Sequence, residues 1–195
     1  MWDERFGRPG YAYGTAPNDF LVEVAHRVPV GPVLCLGEGE GRNATYLAGR
    51  GARVTAVDQS PVGLAKARQL AAERGVSITT VCADLADFAI APAAWDGVVS
   101  IFCHLPPALR AAVHARAVAG LRPGGVLVLE AYTPKQLEFG TGGPPVLELL
   151  MTEAALRREL AGLRFERLVE VERDVVEGRA HTGRAAVVQV LGVKA

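Results

Sequence analysis

The stretch "LCLGEGEGRNATYLAGRG", residues 34–51, decides how the rest of the chain is read. An apolar run leads into three glycines, Gly37, Gly39 and Gly41, which alternate with Glu38 and Glu40. The segment "RNATYLAGRG" (42–51) then reads as a helix closed by glycine. A strand passing through a glycine-rich turn into a helix is a common way for open α/β sheets to meet a ligand. The segments downstream agree. "RVTAVD" (53–58) is a β-branched strand ending in Asp58, and "SPVGLAKARQLAAERG" (60–75) is a helix with Ser60 as cap, Pro61 at its first position and Gly75 at its end. "ITTVCAD" (78–84), "WDGVVSIFCHL" (95–105) and "GGVLVLEAY" (124–132) are further strands, with "PPALRAAVHARAVAGL" (106–121) as a helix before the last. Strands that are apolar throughout and alternate with helices imply a parallel sheet covered on both faces.

The pattern changes towards the C-terminus. After a helix over 152–163 capped by Thr152, "FERLVEVERDVVEG" and "RAAVVQVLGVK" are two strands separated by "RAHTG", which predicts an antiparallel hairpin. The expected fold is α/β: a Rossmann-like, doubly wound sheet of seven strands, mostly parallel, with an antiparallel edge hairpin. It forms one domain over 1–195, with residues 1–30 as an N-terminal lid. The loop "TPKQLEFGTGGPP" (133–145) is long and rich in Gly and Pro, and reads equally as a functional loop or a plain connector.

Bulk composition narrows the partners. Lys plus Arg and Asp plus Glu are each 21, so no basic excess favours a nucleic acid. No apolar segment approaches the ~20 residues of a membrane span. "MWDERFGRPG" carries charges where a signal peptide needs an apolar run. A cytoplasmic protein, monomer or homodimer, with no nucleic-acid or membrane partner is expected. Cys35, Cys82 and Cys103 lie far apart without metal-ligand spacing, and each sits in an apolar run, so they read as buried thiols and no metal is expected.

The glycine spacing selects the ligand. Dinucleotide sites use G-x-G-x-x-G, whereas this turn is G-x-G-x-G with Arg42 at the third dinucleotide position. No Lys-Ser/Thr follows, so it is not a phosphate-cradling P-loop. Glu38 and Glu40 would repel a pyrophosphate but suit a cationic ligand without phosphate. S-adenosylmethionine (SAM) has a sulfonium, an ammonium and no phosphate. Asp58, 21 residues after Gly37, is placed to accept from both ribose hydroxyls, with Gln59 beside it. Asp84 in "CADL" is placed to accept from the adenine amine. Leu85 and Phe102 either flank the adenine or pack in the core.

With these residues in hand, the chain resembles a class I SAM-dependent methyltransferase. "VLCLGEGEGRN" is similar to that family's glycine motif, "VTAVDQS" to its ribose acid, "CADL" to its adenine acid and "LRPGGVLVLE" to the turn before its fifth strand. "WDERF…YAYGTAPNDFL", "EGEGRNATYLA" and "GTGGP" resemble the small bacterial tellurite-resistance and thiopurine type. The resemblance implies methyl transfer from SAM, leaving S-adenosylhomocysteine, to a small molecule such as a tellurite- or selenite-type oxyanion or a thiol. It also implies cofactor contacts at Tyr13, Gly37, Glu38, Gly39, Gly41, Asn43, Asp58, Gln59, Asp84, Leu85 and Phe102. The family often has an acid two residues before the first motif glycine; here Cys35 stands there, and either Glu38 or Glu40 replaces it or Cys35 only packs. The rival reading that keeps the fold is a SAM-binding regulator or scaffold without turnover. A nucleotide-dependent oxidoreductase is the rival from another class.

Candidates for the chemistry are fewer. His104 follows the fourth strand and is either an acid–base group or a carbonyl-bonded turn residue, the second being favoured. His181 and Arg184 at the hairpin tip either approach the acceptor, as basic residues do in the resembling enzymes, or belong to a solvated turn. Tyr13 either closes over the sulfonium through a cation–π contact or anchors the terminus. Arg42 and Asn43 either touch the ligand carboxylate or cap the helix.

Overall fold

A computed structural model describes residues 2–178 and 181–195. The elements run α1 (Trp2–Phe6), α2 (Asp19–Val24), β1 (Pro32–Leu36), α3 (Arg42–Gly49), β2 (Arg53–Asp58), α4 (Pro61–Glu73), β3 (Thr79–Cys82), β4 (Trp95–Ile101), α5 (Pro107–Gly120), β5 (Leu121–Tyr132), α6 (Glu153–Glu159), β6 (Leu163–Glu177) and β7 (His181–Lys194). The sheet order is β3-β2-β1-β4-β5-β7-β6. The first five strands are mutually parallel, and β7 is antiparallel to both β5 and β6. The caps read from sequence are made: Gly63 N donates to Ser60 Oγ at 3.0 Å and Ala155 N to Thr152 Oγ1 at 3.2 Å.

The antiparallel edge hairpin is present as expected; within it β7 lies inside and β6 is outermost. The burial patterns explain the order. β7 is buried continuously from Ala185 to Gly192, as a strand covered on both faces must be, whereas β6 alternates with exposed charges that guard an open edge. The hairpin connection is shorter than the expected "RAHTG". Glu177 pairs with His181, so His181–Gly183 already belong to β7, and Arg179 and Ala180 lie outside the described residues.

Side-chain alternation along β1 divides the core into two layers. Leu34 and Leu36 pack towards α5 and α6, while Val33 and Cys35 pack towards α2 and α3. Cys35 is fully buried there among the apolar side chains of that layer. The other thiols differ from expectation: Cys82 is exposed because it ends the edge strand β3, and Cys103 is half-buried. β1 lies between β2 and β4, so the strand order reverses at this point and a crevice opens at their C-terminal ends. Among the described residues no helix is long and apolar enough to cross a membrane.

Candidate cofactor and acceptor site

The glycine turn after β1 meets three separate steric demands. Gly37, Gly39 and Gly41 have φ of 60°, 61° and 88°, a region that side chains rarely adopt. A Cβ on Gly37 would stand 2.7 Å from Cys103 Sγ, one on Gly39 2.9 Å from the Phe6 ring, and one on Gly41 2.6 Å from Ala67 Cβ. The turn is therefore pressed between Cys103 just past β4, the N-terminal segment and α4.

The two glutamates between these glycines part company. Glu38 lines the cavity, and its Oε1 accepts from Asn43 N at 3.0 Å and Ala44 N at 2.8 Å, capping α3. Burial pushes its carboxyl up to about 7, against the pull of those N–H groups and Arg42. Glu40 turns the other way, accepting from Ala12 N at 2.7 Å and pairing with Lys66 Nζ at 3.1 Å. The expectation that both acids face the ligand is corrected: one faces the cavity and one holds the N-terminal segment.

A cavity of about 870 Å³ opens over these strand ends. Of the residues expected at the site, Tyr13, Gly37, Glu38, Gly39, Asn43, Asp58, Gln59, Asp84, Leu85, Phe102, His104 and His181 line it. Gly41 does not, being packed beneath on α4, and neither does Arg184. Asp58 is held rigidly, with Oδ2 accepting from Gly39 N at 2.8 Å and Oδ1 from Ser60 N at 2.8 Å. Burial raises its carboxyl, and these two donors counter the rise. A carboxylate has about four lone-pair sites, so acceptor capacity remains beyond these bonds. Asp84 Oδ1 accepts from Ala86 N at 2.8 Å, which fixes the turn carrying Leu85.

The N-terminal segment closes the cavity from above. Phe6 is buried against Gly39 and Gly63, and Trp2 stacks on it at 5.6 Å. Lys66 Nζ donates to Arg8 O and Gly10 O at 2.9 and 2.6 Å. Further along, the chain crosses the end of β6 so closely that a Cβ on Gly178 would lie 2.4 Å from Gly14 N. Tyr13 is brought down by this crossing onto His181, ring centroids 4.5 Å apart, and its hydroxyl accepts from Arg5 at 2.7 Å.

Aromatic rings build the opposite wall. Phe102 stacks on Tyr132 at 4.5 Å and meets His181 edge-on at 4.8 Å. Its ring is thereby packed against residues of β5 and β7 while still lining the same cavity as Asp84 and Leu85. Its φ of 53° is a left-handed conformation held by the Phe102 N to Glu130 O bond of 2.7 Å. Gly142, Gly143, Pro144 and Pro145 also line the cavity, so the long loop is part of the site. Gln136 ties it down, donating to Thr141 Oγ1 and Gly142 O and accepting from Ala186 N.

The candidate acid–base groups separate sharply. His104 Nδ1 bonds Leu149 O at 2.9 Å and Nε2 accepts from Tyr132 N at 3.4 Å, so both nitrogens are committed and the ring is a neutral brace. Burial depresses it to about 4. Arg184 points outwards to Glu172 at 3.2 Å, leaving the site. His181, at 7 % exposure, is a wall residue and not a solvated turn. The strand register explains this: residue 181 is paired in β7 and its side chain is covered by Tyr13.

A buried polar cluster behind that wall escaped the sequence reading. Glu130 accepts from Asn18 Nδ2 at 2.6 Å, Arg173 Nε and Nη2 at 2.9 and 2.7 Å, and Gln189 Nε2 at 2.7 Å. Glu177 accepts from Asn18 Nδ2 at 2.8 Å and Arg42 Nη2 at 2.6 Å. Arg42 is thereby committed to a carboxylate of the chain. Asn43 Oδ1 accepts from Asn18 N at 2.9 Å. The signal was present: Glu130 in "VLVLEAY" and Glu177 in "DVVEG" are acids inside apolar strand runs.

Parts of this chain are similar to known proteins. Residues 33–125 match the family described as "Methyltransferase domain". The carboxy-S-adenosyl-L-methionine synthase of Geobacter metallireducens is 40% identical over 93 residues, covering 46% of this chain and 36% of that protein. The 2-heptyl-1-hydroxyquinolin-4(1H)-one methyltransferase of Mycobacteroides abscessus is 28% identical, covering 72% and 64%. The chain thus spans only about a third to two thirds of these relatives' lengths. Among solved structures, TehB from Haemophilus influenzae superposes with a TM-score of 0.75 at 21% identity, over 93% of this chain and 63% of that one. At that identity the likeness is one of fold. Sheet order, motif positions and the matched segment are together similar to those of class I SAM-dependent methyltransferases.

Proposed function

We propose that this protein transfers a methyl group from SAM to the O–H or S–H group of a small molecule, with His181 receiving the acceptor's proton. The observation that carries this reading is the division of one cavity into two chemistries. Glu38, Asp58 and Asp84 give one side carboxylates that suit ribose, adenine amine and ammonium. Tyr13, Phe102 and His181 give the other an aromatic wall with one imidazole. SAM, when bound, supplies the methyl group on its sulfonium. The chain's work is to hold the ribose at Asp58, to exclude water under the lid, and to take a proton at His181 as the acceptor attacks in line. Burial lowers His181 and the Glu177 carboxylate opposes that lowering. The imidazole is therefore neutral at pH 7 and can accept a proton.

The same wall suits a neutral acceptor better than a tellurite- or selenite-type oxyanion. Arg42 is bound to Glu177 and Arg184 to Glu172. The other arginines lining the cavity, Arg5 and Arg8, are exposed on the lid. Among the described residues, an anion on the inner wall would lose water and meet no arginine free of a carboxylate partner. Incubation with SAM and a panel of a small thiol, a phenol, tellurite and selenite tests this. Mass spectrometry should find a methylated thiol or phenol together with S-adenosylhomocysteine. Methylation of tellurite alone would overturn the acceptor assignment, and SAM binding with no product from any acceptor class would favour a regulator without turnover.

A further inference from the structure

We infer that Glu177 is the positioning residue for His181, locked in place by Arg42 from the helix of the glycine turn and by Asn18 from the root of the lid. This rests on the proposed role of His181. Glu177 ends β6 and faces His181 across the ladder. Its Oε1 is held by Asn18 Nδ2 at 2.8 Å and its Oε2 by Arg42 Nη2 at 2.6 Å, so the carboxylate has no rotational freedom left. His181 Nδ1 lies 3.8 Å from Oε2. That nitrogen is buried and has no hydrogen-bond partner among the described residues. A modest ring rotation closes the gap, and bonds to a catalytic base are often long at rest.

The cluster's cost argues for a role. A buried ion pair adds little net stability, and apolar residues of similar size often serve as well. Here three chain segments, far apart in sequence, converge on one carboxylate beside one imidazole. Every other group packed on His181 fails to do what Glu177 does. Tyr13 from the lid, Phe102 after β4 and Tyr132 from β5 present ring faces or edges. Arg42 and Arg5 present positive charge, and His104 is neutral with both nitrogens used. Among the described residues, only Glu177 presents negative charge to Nδ1. It fixes the proton on Nδ1, leaves the lone pair on Nε2 for the acceptor, and stabilises the imidazolium once the proton has moved. Held down to about 2, Glu177 stays ionised throughout the working range.

The arrangement also links the two ends of the site. Asn18 caps α2 through Leu21 N at 2.9 Å and bonds Asn43 through its own N–H. The lid root, the glycine-turn helix and the proton acceptor are thus joined through one side-chain amide and one carboxylate.

The test is nitrogen-15 NMR of the imidazole rings in the full chain, comparing wild type with Glu177→Gln and using His181→Asn to assign the signal. Wild type should show His181 as the Nδ1–H tautomer, and Glu177→Gln should shift it to a mixture or to Nε2–H. Turnover of Glu177→Gln should fall roughly 10- to 1,000-fold, within the range for impaired proton transfer. The acidic limb of its pH profile should move to lower pH, while KM for SAM stays within about twofold; a purely structural role would not move that limb. An unchanged tautomer in Glu177→Gln would overturn the inference. So would an Nε2–H tautomer in wild type, a result that does not depend on the variant folding. The NMR comparison needs neither SAM nor acceptor, so its failure is distinguishable from failure of the methyl-transfer reading.

Discussion

The two sides of the cavity are built in opposite ways. The proposed donor side comes from three short runs, Gly37–Asn43, Asp58–Gln59 and Asp84–Leu85, each at the end of a parallel strand. The proposed acceptor side is assembled from Tyr13, Phe102, Gly142–Pro145 and His181, backed by Tyr132, which meet through the lid crossing and the late hairpin. The donor side is held by backbone N–H groups, which any sequence supplies once the turn has formed. Side chains hold the acceptor side, through Asn18, Arg42, Glu130 and Glu177. A site of the first kind tolerates change around it, while one of the second kind can be retuned by single substitutions.

The comparison breaks most clearly at His181. His181→Asn should lower kcat by roughly 10²–10⁴, the usual worth of general-base catalysis, and leave SAM affinity unchanged. Steady-state kinetics with parallel calorimetry checks both halves of that statement. Loss of SAM binding instead would mean that the two sides are not separable. On the donor side, Asp58→Ala should weaken SAM by about 1.5–3 kcal/mol, the worth of hydrogen bonds to a charged group. Unchanged affinity in calorimetry would remove the ribose from that strand end.

A pH effect should come from Glu38. Its carboxyl is raised by burial to about 7 in the folded chain. The folded state therefore binds more protons than the unfolded chain between the ordinary carboxyl range and about 7. Stability from this group is full at low pH and is lost as pH rises through about 7, at a rate of up to ~1.4 kcal/mol per pH unit. Denaturant titrations at pH 5.5, 6.5 and 7.5 should show this slope in wild type and lose it in Glu38→Gln. The smallest effect belongs to Arg184→Ala. Its partner Glu172 is a surface carboxylate, so stability should change by no more than about 0.5 kcal/mol and turnover should hold. A large loss of turnover would restore the hairpin tip to the acceptor site.

This contrast also explains what the sequence made readable. Strand–helix alternation and the G-x-G-x-G turn are local patterns, so the sheet and the Asp58 position could be read from spacing. Cys35 could not be decided until alternation along β1 sent it into the α2–α3 layer. His181 looked solvated because its neighbours are Gly, Thr and Arg; its burial comes from Tyr13, 168 positions away. Glu40 and Glu38 are two residues apart in one motif, yet only the fold of the N-terminal segment over Gly39 separates their roles. The polar cluster was hidden for the same reason, since Asn18 and Glu177 stand 159 positions apart.

The central claim is that the glycine turn and Asp58 hold a phosphate-free adenosyl ligand. Calorimetric titration of the protein with SAM, S-adenosylhomocysteine and NADH, side by side, tests it most directly. Saturable binding of the first two, with none for NADH, is the predicted result. Binding of NADH in preference to SAM would contradict the account, because the turn lacks the third dinucleotide glycine and carries Arg42 in its place.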